Sequence, residues 1–368
     1  MGEKMAADIH AAAAQFFAVP AIKDIREYGT GRVNDTFLVT VAGQDEPRFI
    51  LQRLSSAVFD QPEWIMENLR IVNDHVAAEL SAEGNPGGWR MPVIRQTLAG
   101  RDFYLDRDNG YWRVLHFIAG CRSFATVQSP FQAGEAGRAL GRFHQLISGL
   151  EPALLHDTLP GFHVTPLYLA QYDRVAAAAG RRKQADIRFC HDFIARRRAL
   201  VHVLEDARKE GKLFNRPIHG DPKLSNILFA ERTGRAVSLI DLDTVKPGLI
   251  QYDIGDCLRS ACNPLGEETE EWEDVRFDPD ICHAVLRGYF SGAKRFLSRG
   301  DVAYFYDAVW LIAFELGLRF FTDHLEGDVY FKVRRPGHNL ARALVQFSLA
   351  SSIEAHEAGI RTIVGELS

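Results

Sequence analysis

The pattern of apolar and polar positions changes character once along the chain. After a short amphipathic helix in MGEKMAADIHAAAAQFFAVP, residues 22 to 54 carry the two-residue period of strands: Ile22 to Tyr28, then YGTGRVNDTFLVTV, then PRFILQRL beyond a turn at Gly43 to Pro47. Pro62 opens a helical stretch in which Trp64, Ile65, Leu69, Val72 and Val76 recur at helical spacing, and Gly84 to Gly88 breaks it. Three more strand-like pieces follow, MPVIR, RDFYLD and YWRVLHFI, the last two joined through Asn109 and Gly110, a dipeptide suited to a hairpin turn. From Phe131 the spacing turns helical, at 131 to 149, 166 to 178, 185 to 210, 253 to 262, 280 to 298, 301 to 322 and 337 to 358, apart from a strand-like stretch at 216 to 245. The pattern predicts an α+β chain of two lobes, a β-rich N-terminal lobe over residues 1–118 and a mainly helical C-terminal lobe over 119–368.

Composition narrows the partners. Lys and Arg number 43 against 48 Asp and Glu, a net charge of −5 that gives no basic footprint for nucleic acid. Five cysteines without a CxxC pair argue against a disulfide framework and a zinc site, and point to a reducing cytoplasm. The Ala-rich start is interrupted by Asp8, His10 and Gln15, unlike a signal segment, and no apolar run is long enough to suggest a membrane partner. Oligomeric state is not legible at this level.

The chemistry gathers in the strand-like stretch. HGDPKLSNILF places Asn226 five residues after Asp221, and the apolar run AVSLIDLD delivers Asp241 and Asp243 fifteen and seventeen residues further on. Protein kinases carry HRD and an Asn at the same spacing: the Asp orients the attacking hydroxyl, the Asn holds Mg²⁺, and a later Asp binds metal. Carboxylates converging at the ends of apolar strands need a cation or donors to offset their burial. Asp243 either assists with the metal or bonds local backbone, and Lys223 stands either near the γ-phosphate or in solvent. In the first loop, Gly29, Gly31, Arg32 and Asn34 offer a turn that can cover phosphates with backbone N–H groups. The third strand ends in Gln52 and Arg53, where kinases carry a phosphate-pairing lysine. Arg53 is favoured because a guanidinium meets both a phosphate and a bracing carboxylate, here Glu67, although periodicity leaves Gln52 open. His116, Phe117 and Ile118 end the last strand of the lobe, the place for an adenine-binding hinge. His144 reads as a core histidine, and Asp253 and Asp256 in YDIGD as structural residues that cap the next helix and tie it to the catalytic loop.

HGDPKLSN with IDLDTVKPGLIQYDIGD resembles the aminoglycoside phosphotransferase and choline kinase superfamily, whose fold is protein-kinase-like and which uses HGD in place of HRD. GTGRVNDTFLV, FILQRLSSAVFDQPEWIMENL and LRFFTDHLEGDVYFKVRRPGHNLARALVQF are similar to the N-acetylhexosamine 1-kinases. That resemblance implies an enzyme using ATP and Mg²⁺ to phosphorylate the anomeric hydroxyl of N-acetylglucosamine or N-acetylgalactosamine, with Arg319, Asp323 and Tyr330 joining Asp221 around the sugar. The chain departs from that group at Arg32, where the group has a His, so the sugar itself stays open. An aminoglycoside or amino-alcohol kinase is the alternative, supported by the acidic run GEETEEWEDVRFDPD, which equally suits a solvated insert. A nucleotide-binding regulator without catalysis is a third reading, and one with no chemical need for Asp221, Asn226 and Asp241 together.

Overall fold

The computed structural model describes residues 3–29, 33–43, 48–56, 58–179 and 184–368. Its N-terminal part is α1 (Glu3–Phe16), β1 (Ile22–Glu27), β2 (Asp35–Val41), β3 (Phe49–Leu54), α2 (Pro62–Glu83), β4 (Ile94–Arg95), β5 (Tyr104–Leu105) and β6 (Tyr111–His116). The strands form one antiparallel sheet in the order β1-β2-β3-β6-β4, with β5 beside β6. Alternation decides its two faces. Phe37, Val39, Phe49, Leu51, Trp112 and Val114 point to one side and bury Phe16 and Phe17 of α1 and its end. Gln52 and Arg113, one residue out of phase, point to the other. The β5–β6 turn sets Asn109 at φ 59°, while Asp106 accepts from the Asp108 and Gly110 amides and the Trp112 indole. Helix α2 starts on Pro62, ends on Gly84 at φ 71°, and faces two ways. Ile65 and Met66 pack with Leu54, Phe59 and Tyr111, whereas Leu69, Val72 and Val76 join the core of the C-terminal part.

That part holds β7 (Cys121–Arg122), α3 (Pro130–Ile147), α4 (Thr165–Ala179), α5 (Ala185–Arg197), α6 (Val203–Lys209), β8 (Arg216–Ile218), β9 (Ile227–Ala230), β10 (Ala236–Leu239), β11 (Lys246–Gly248), α7 (Ile250–Ala261), α8 (Pro279–Ala293), α9 (Arg299–Ala303), α10 (Phe305–Glu326), α11 (His338–Ala355) and α12 (Glu357–Leu367). β10-β9-β7 and β11-β8 are small antiparallel sheets that frame the catalytic stretch. The helix expected at 185 to 210 is two, parted by a 3₁₀ turn at Arg198–His202, and the last expected helix breaks at His356. The helix expected from Asp253 begins earlier, at Ile250, so Asp253 lies inside its first turn and does not cap it. No helix among the described residues is long and apolar enough to cross a membrane. Helices α3 and α8 pack backbone to backbone: a methyl on Gly137 would stand 1.8 Å from the Val285 carbonyl oxygen, and one on Gly288 1.9 Å from that of Gly134.

Buried polar groups on several helices hold the loop of residues 219–226. From α7, Asp253 accepts from the His219 amide at 2.7 Å and the Gly220 amide at 2.8 Å, and from α3 His144 bonds the same carboxylate at 2.8 Å and Tyr289 at 3.0 Å. Burial pushes the Asp253 carboxyl up, but its His144 bond, the neighbouring imidazoles and the amide overrule this and hold it below the usual carboxylate range. Across the loop, buried His163 bonds the Gly220 carbonyl at 2.8 Å through Nε2 and Glu315 of α10 at 3.0 Å through Nδ1. Glu315 also accepts from Thr165. Burial disfavours a charged His163, yet the Glu315 carboxylate holds its pKa above the ordinary imidazole value. Gly220 sits at φ 86°, and a Cβ there would come within 2.5 Å of the Thr244 carbonyl, so only glycine fits.

Two predictions follow from this packing. Gly137→Ala forces two backbones apart and is expected to cost at least about 2 kcal/mol, a fall in Tm of roughly 3 °C or more for a chain of this length. Gly359→Ala, with open space around its site, is the control, and equal Tm values for both variants would refute the close approach. For His163 the raised folded pKa means stabilisation that is complete below the unfolded value of about 6.5 and is lost as pH rises through the folded value. The Tm deficit of His163→Gln should therefore be larger at pH 6 than at pH 9. A deficit that does not change with pH would show that the imidazole is held neutral.

Candidate active site

The turn after β8 carries the chemistry. His219 is fully buried, and burial keeps its pKa below the usual imidazole value. Its Nε2 bonds the Ile240 carbonyl at 3.1 Å, and the Asp221 amide donates to its Nδ1 at 3.3 Å, the pattern of a neutral ring protonated at Nε2. The histidine of HGD thus shapes the loop and ties it to the end of β10. Asp221 Oδ2 accepts from Lys223 Nζ at 2.5 Å and from Asn226 Nδ2 at 3.1 Å. Asn226 Nδ2 also donates to the Asp221 carbonyl at 2.8 Å, which leaves the amide oxygen of Asn226 as the atom with coordinating capacity. The Ile240 amide donates to the Asn226 carbonyl at 2.9 Å, so catalytic loop and Asp241 are joined through one peptide link. Burial lowers and the carboxylates of Asp221 and Asp241 raise the Lys223 pKa, the carboxylates prevailing.

Asp241 adopts the left-handed conformation, φ 67° and ψ 56°, uncommon for any residue but glycine. Its surface opens to the cleft, but the crowding walls, and after them the negative charge of Asp243, push its carboxyl above the ordinary carboxylate range. A cation at this place would relieve that penalty. Among the described residues no group of three or more His, Cys, Asp or Glu side chains forms a self-sufficient metal cage. Asn226 and Asp241 nevertheless suit Mg²⁺, which keeps much of its shell for phosphate oxygens and water.

Asp243 has a different environment. It is buried, with Oδ1 2.6 Å from Arg113 Nη2 and Oδ2 accepting from Asn34 Nδ2 at 2.7 Å. Its Oδ2 is hydrogen-bonded and its Oδ1 is ion-paired, without hydrogen-bond geometry, by residues of the N-terminal lobe, and its own carbonyl accepts from Thr158. Asn34 also accepts from the Ser55 amide at 3.1 Å. Arg113 lies opposite Gln52 in the β3–β6 register and donates to Gln52 Oε1 through Nε at 3.0 Å and Nη2 at 2.8 Å. Of the two third-strand candidates, then, Gln52 reaches the cleft side. Arg53 is turned to the α1 side, its guanidinium over the Trp112 ring at 5.8 Å, because neighbours in a strand face opposite ways. The expected brace to Arg53 is not formed, and Glu67 pairs instead with His156 at 2.7 Å. Arg113 itself was hidden in the sequence, and its one signal is a charge between Trp112 and Val114 in an otherwise apolar strand.

Of the remaining N-lobe candidates, Gly29 stands at φ 78° just beyond β1, while Gly31 and Arg32 lie outside the described residues. His116 ends β6 with its amide on the Val93 carbonyl, and the Phe117 amide bonds the Arg48 carbonyl, which places 116 to 118 at the lobe connection. Asp256 bonds Arg259 on α7 at 2.7 Å, burial holding its carboxyl above the usual range.

On the helical side, Arg319 of α10 lies among four rings, with its guanidinium carbon 5.1 Å from Phe162, 4.9 Å from Tyr168, 5.8 Å from Tyr330 and 5.4 Å from Phe331. It is near enough to Asp221 for that charge to act on it, and its pKa stays above the ordinary value despite burial. Asp323, expected beside it around a ligand, is turned to another task. Its oxygens accept from the Val329, Tyr330 and Phe331 amides at 2.8–2.9 Å and from Asn339 at 2.8 Å, so its carboxylate is filled by the chain's own donors. The acidic run also has internal partners: Glu267 meets Arg259, Glu268 meets His338 and Arg342, and Glu270 meets Arg335.

Comparison with known proteins agrees with this arrangement. Residues 24–291 match the model of the phosphotransferase enzyme family. The fold is similar to an aminoglycoside phosphotransferase from Alicyclobacillus acidocaldarius, 17% identical with a TM-score of 0.65 over 97% of this chain and 96% of that one. It is similar to a choline kinase from Cryptosporidium parvum, 13% identical with a TM-score of 0.62 over 99% of each chain. It also resembles amicoumacin kinase in a complex with AMP-PNP, Ca²⁺ and Ami, 13% identical with a TM-score of 0.55 over 95% of this chain and 93% of that one. At these identities the likeness is one of fold. The matched span takes in the N-terminal sheet, the catalytic loop and Asp241 through α7, and the chain belongs to the phosphotransferase enzyme family, as a small-molecule phosphotransferase.

Proposed function

We propose that this phosphotransferase is an ATP- and Mg²⁺-dependent kinase that places phosphate on the anomeric hydroxyl of an N-acetylhexosamine, N-acetylglucosamine or N-acetylgalactosamine, at the cytoplasmic address its free thiols suit. The observation that carries the acceptor is Arg319, a half-buried cation walled by aromatic rings and close enough to Asp221 to feel its charge. Ring faces suit the apolar face of a pyranose and its N-acetyl methyl, and a guanidinium suits hydroxyl and carbonyl oxygens. A polycationic aminoglycoside or a choline-like amine would meet a like charge there. Three glutamates of the acidic run, Glu267, Glu268 and Glu270, are paired with the chain's own cations.

In this reading the Asp221 carboxylate accepts a hydrogen bond from the acceptor hydroxyl and takes its proton as the new O–P bond forms and the bond to the ADP oxygen breaks. Lys223, 2.5 Å from that carboxylate, orients it and carries a positive charge towards the phosphoryl group in transfer. Asn226 Oδ1 and Asp241 would hold Mg²⁺, which supplies charge neutralisation for the phosphates. Adenine would lie against the backbone of His116, Phe117 and Ile118.

Asp221→Asn is expected to lower kcat by about a hundredfold or more with ATP still bound, since the hydroxyl loses its acceptor while the nucleotide site is intact. Turnover close to that of the unaltered enzyme would reject Asp221 as the group that serves the hydroxyl, and a protein inert towards every acceptor would return the non-catalytic reading. The acceptor is tested by ADP release over hexoses, hexosamines, aminoglycosides and choline. N-acetylhexosamine should be preferred, and its product should no longer reduce alkaline copper, because phosphate on C1 blocks the reducing end. A 6-phosphate product, or preference for kanamycin-like amines, would exclude the sugar 1-kinase assignment.

A further inference from the structure

We infer that Arg113 holds the fixed cationic post of the nucleotide lobe, reached from β6 and not from the end of β3, and that it is a positioning residue acting through Asp243 to close that lobe onto the metal-holding carboxylate. The inference rests on the kinase reading above and names a residue that reading does not use. Four facts converge on it. Three side chains of the N-terminal lobe, Asn34 before β2, Gln52 on β3 and Arg113 on β6, form one chain of bonds ending on Asp243. Asp243 is two residues from Asp241, so the ion pair with Arg113 is set on the same short turn as the carboxylate proposed to hold the metal. Arg113 is 2% exposed, so it is out of reach of a ligand in solution and its influence passes through the groups it touches. Lastly, its Nη1 and the facing Asp243 Oδ1 have no hydrogen-bond partner, which is costly in a buried place. A core built for stability alone would favour an apolar residue here.

The charge balance gives the arrangement its purpose. Asp221, Asp241 and Asp243 are three carboxylates set against Lys223 and Arg113. Without Arg113 the buried Asp243 would stand uncompensated beside Asp241, and the ion pair that ties the N-terminal sheet to this turn would be lost. With it, the sheet is locked over Asp241 by a pair whose members come from different lobes. A kinase-type Lys–Glu brace lies within one lobe. This pair spans the cleft instead, so correct closure and correct cation geometry become a single condition.

The test is the ratio of ATP to adenosine affinity, measured by calorimetry with Mg²⁺ on the whole protein. In the kinase reading adenosine rests against residues 116–118, whereas the phosphates of ATP reach across to the turn of Asp241 and Asp243. Arg113→Met should weaken ATP about 30-fold or more, equivalent to about 2 kcal/mol, with adenosine within about threefold. Gln52→Lys combined with Arg113→Met sets an ammonium on the directly opposite residue of β3 and should recover most of the loss. Equal losses for ATP and adenosine, or none, would overturn the inference by reducing Arg113 to a structural residue. If circular dichroism shows Arg113→Met to be unfolded, Arg113→Lys decides in the same way: a selective loss for ATP supports the role, and a parallel loss or none overturns it. Should the unaltered protein bind neither ATP nor adenosine, the kinase reading falls with it. Normal binding with an unaltered ratio in the variants removes only the role of Arg113.

Discussion

The bond between the Asp253 carboxylate and two successive amides, those of His219 and Gly220, is the constraint on which the active site depends. A loop that must present Asp221 to a cleft cannot also satisfy its backbone through regular structure, so its donors need a buried acceptor. Asp253 supplies one from α7, and His144 braces that carboxylate from α3 while binding Tyr289 of α8. The opposite side of the same turn, the Gly220 carbonyl, is held by His163 and through it by Glu315 of α10. Helices from across the C-terminal lobe therefore converge on a dipeptide. The close approach of α3 and α8 at Gly137 and Gly288 places His144 and Tyr289 near enough to meet, which links helix packing directly to the position of Asp221.

A second convergence, at Asp243, couples the lobes. Where Asp253 organises backbone within one lobe, Asp243 collects side chains from the other: Asn34 and Arg113, the latter held by Gln52. Two neighbouring acidic residues of IDLD thus divide the work. Asp241, in its left-handed turn and short of compensating partners, keeps an unfavourable electrostatic position that a cation would offset, and Asp243 keeps the sheet above it. Strain and uncompensated charge at Asp241 persist because the surrounding bonds leave it no alternative geometry.

What was legible in the sequence follows from the range of the interactions involved. HGDPKLSN and IDLD are local arrangements in which spacing along the chain determines geometry, and the two-lobe order of strands and helices rests on periodicity. Residues chosen by position at the end of a strand fared differently. Gln52 and Arg53 are adjacent, so a single step decides which faces the cleft, and only the packing of α1 on Phe49, Leu51 and Trp112 resolves it. Arg113 is invisible as a partner of Asp243 because 130 residues separate them and no local pattern joins them. The same holds for His163 and Glu315. Helix breaks at 198–202 and His356 escaped because apolar spacing continues across them.

Asp323 shows why a residue type alone does not define a ligand site. A carboxylate after an aromatic pair in RFFTDHLEGDVYF reads naturally as a partner for sugar hydroxyls, yet three consecutive amides and Asn339 fill it. Its effect on an acceptor is indirect. By fixing the backbone at 329–331 it brings Tyr330 and Phe331 against Arg319, completing the ring of aromatic faces around that cation. The acceptor side thus repeats the logic of the catalytic loop, where Asp253 fixes a turn and thereby places Asp221. In both, a buried carboxylate satisfies backbone amides and thereby fixes where the neighbouring side chains stand. Acidic residues in this fold are better distinguished by how many amides they already hold than by their distance from the cleft.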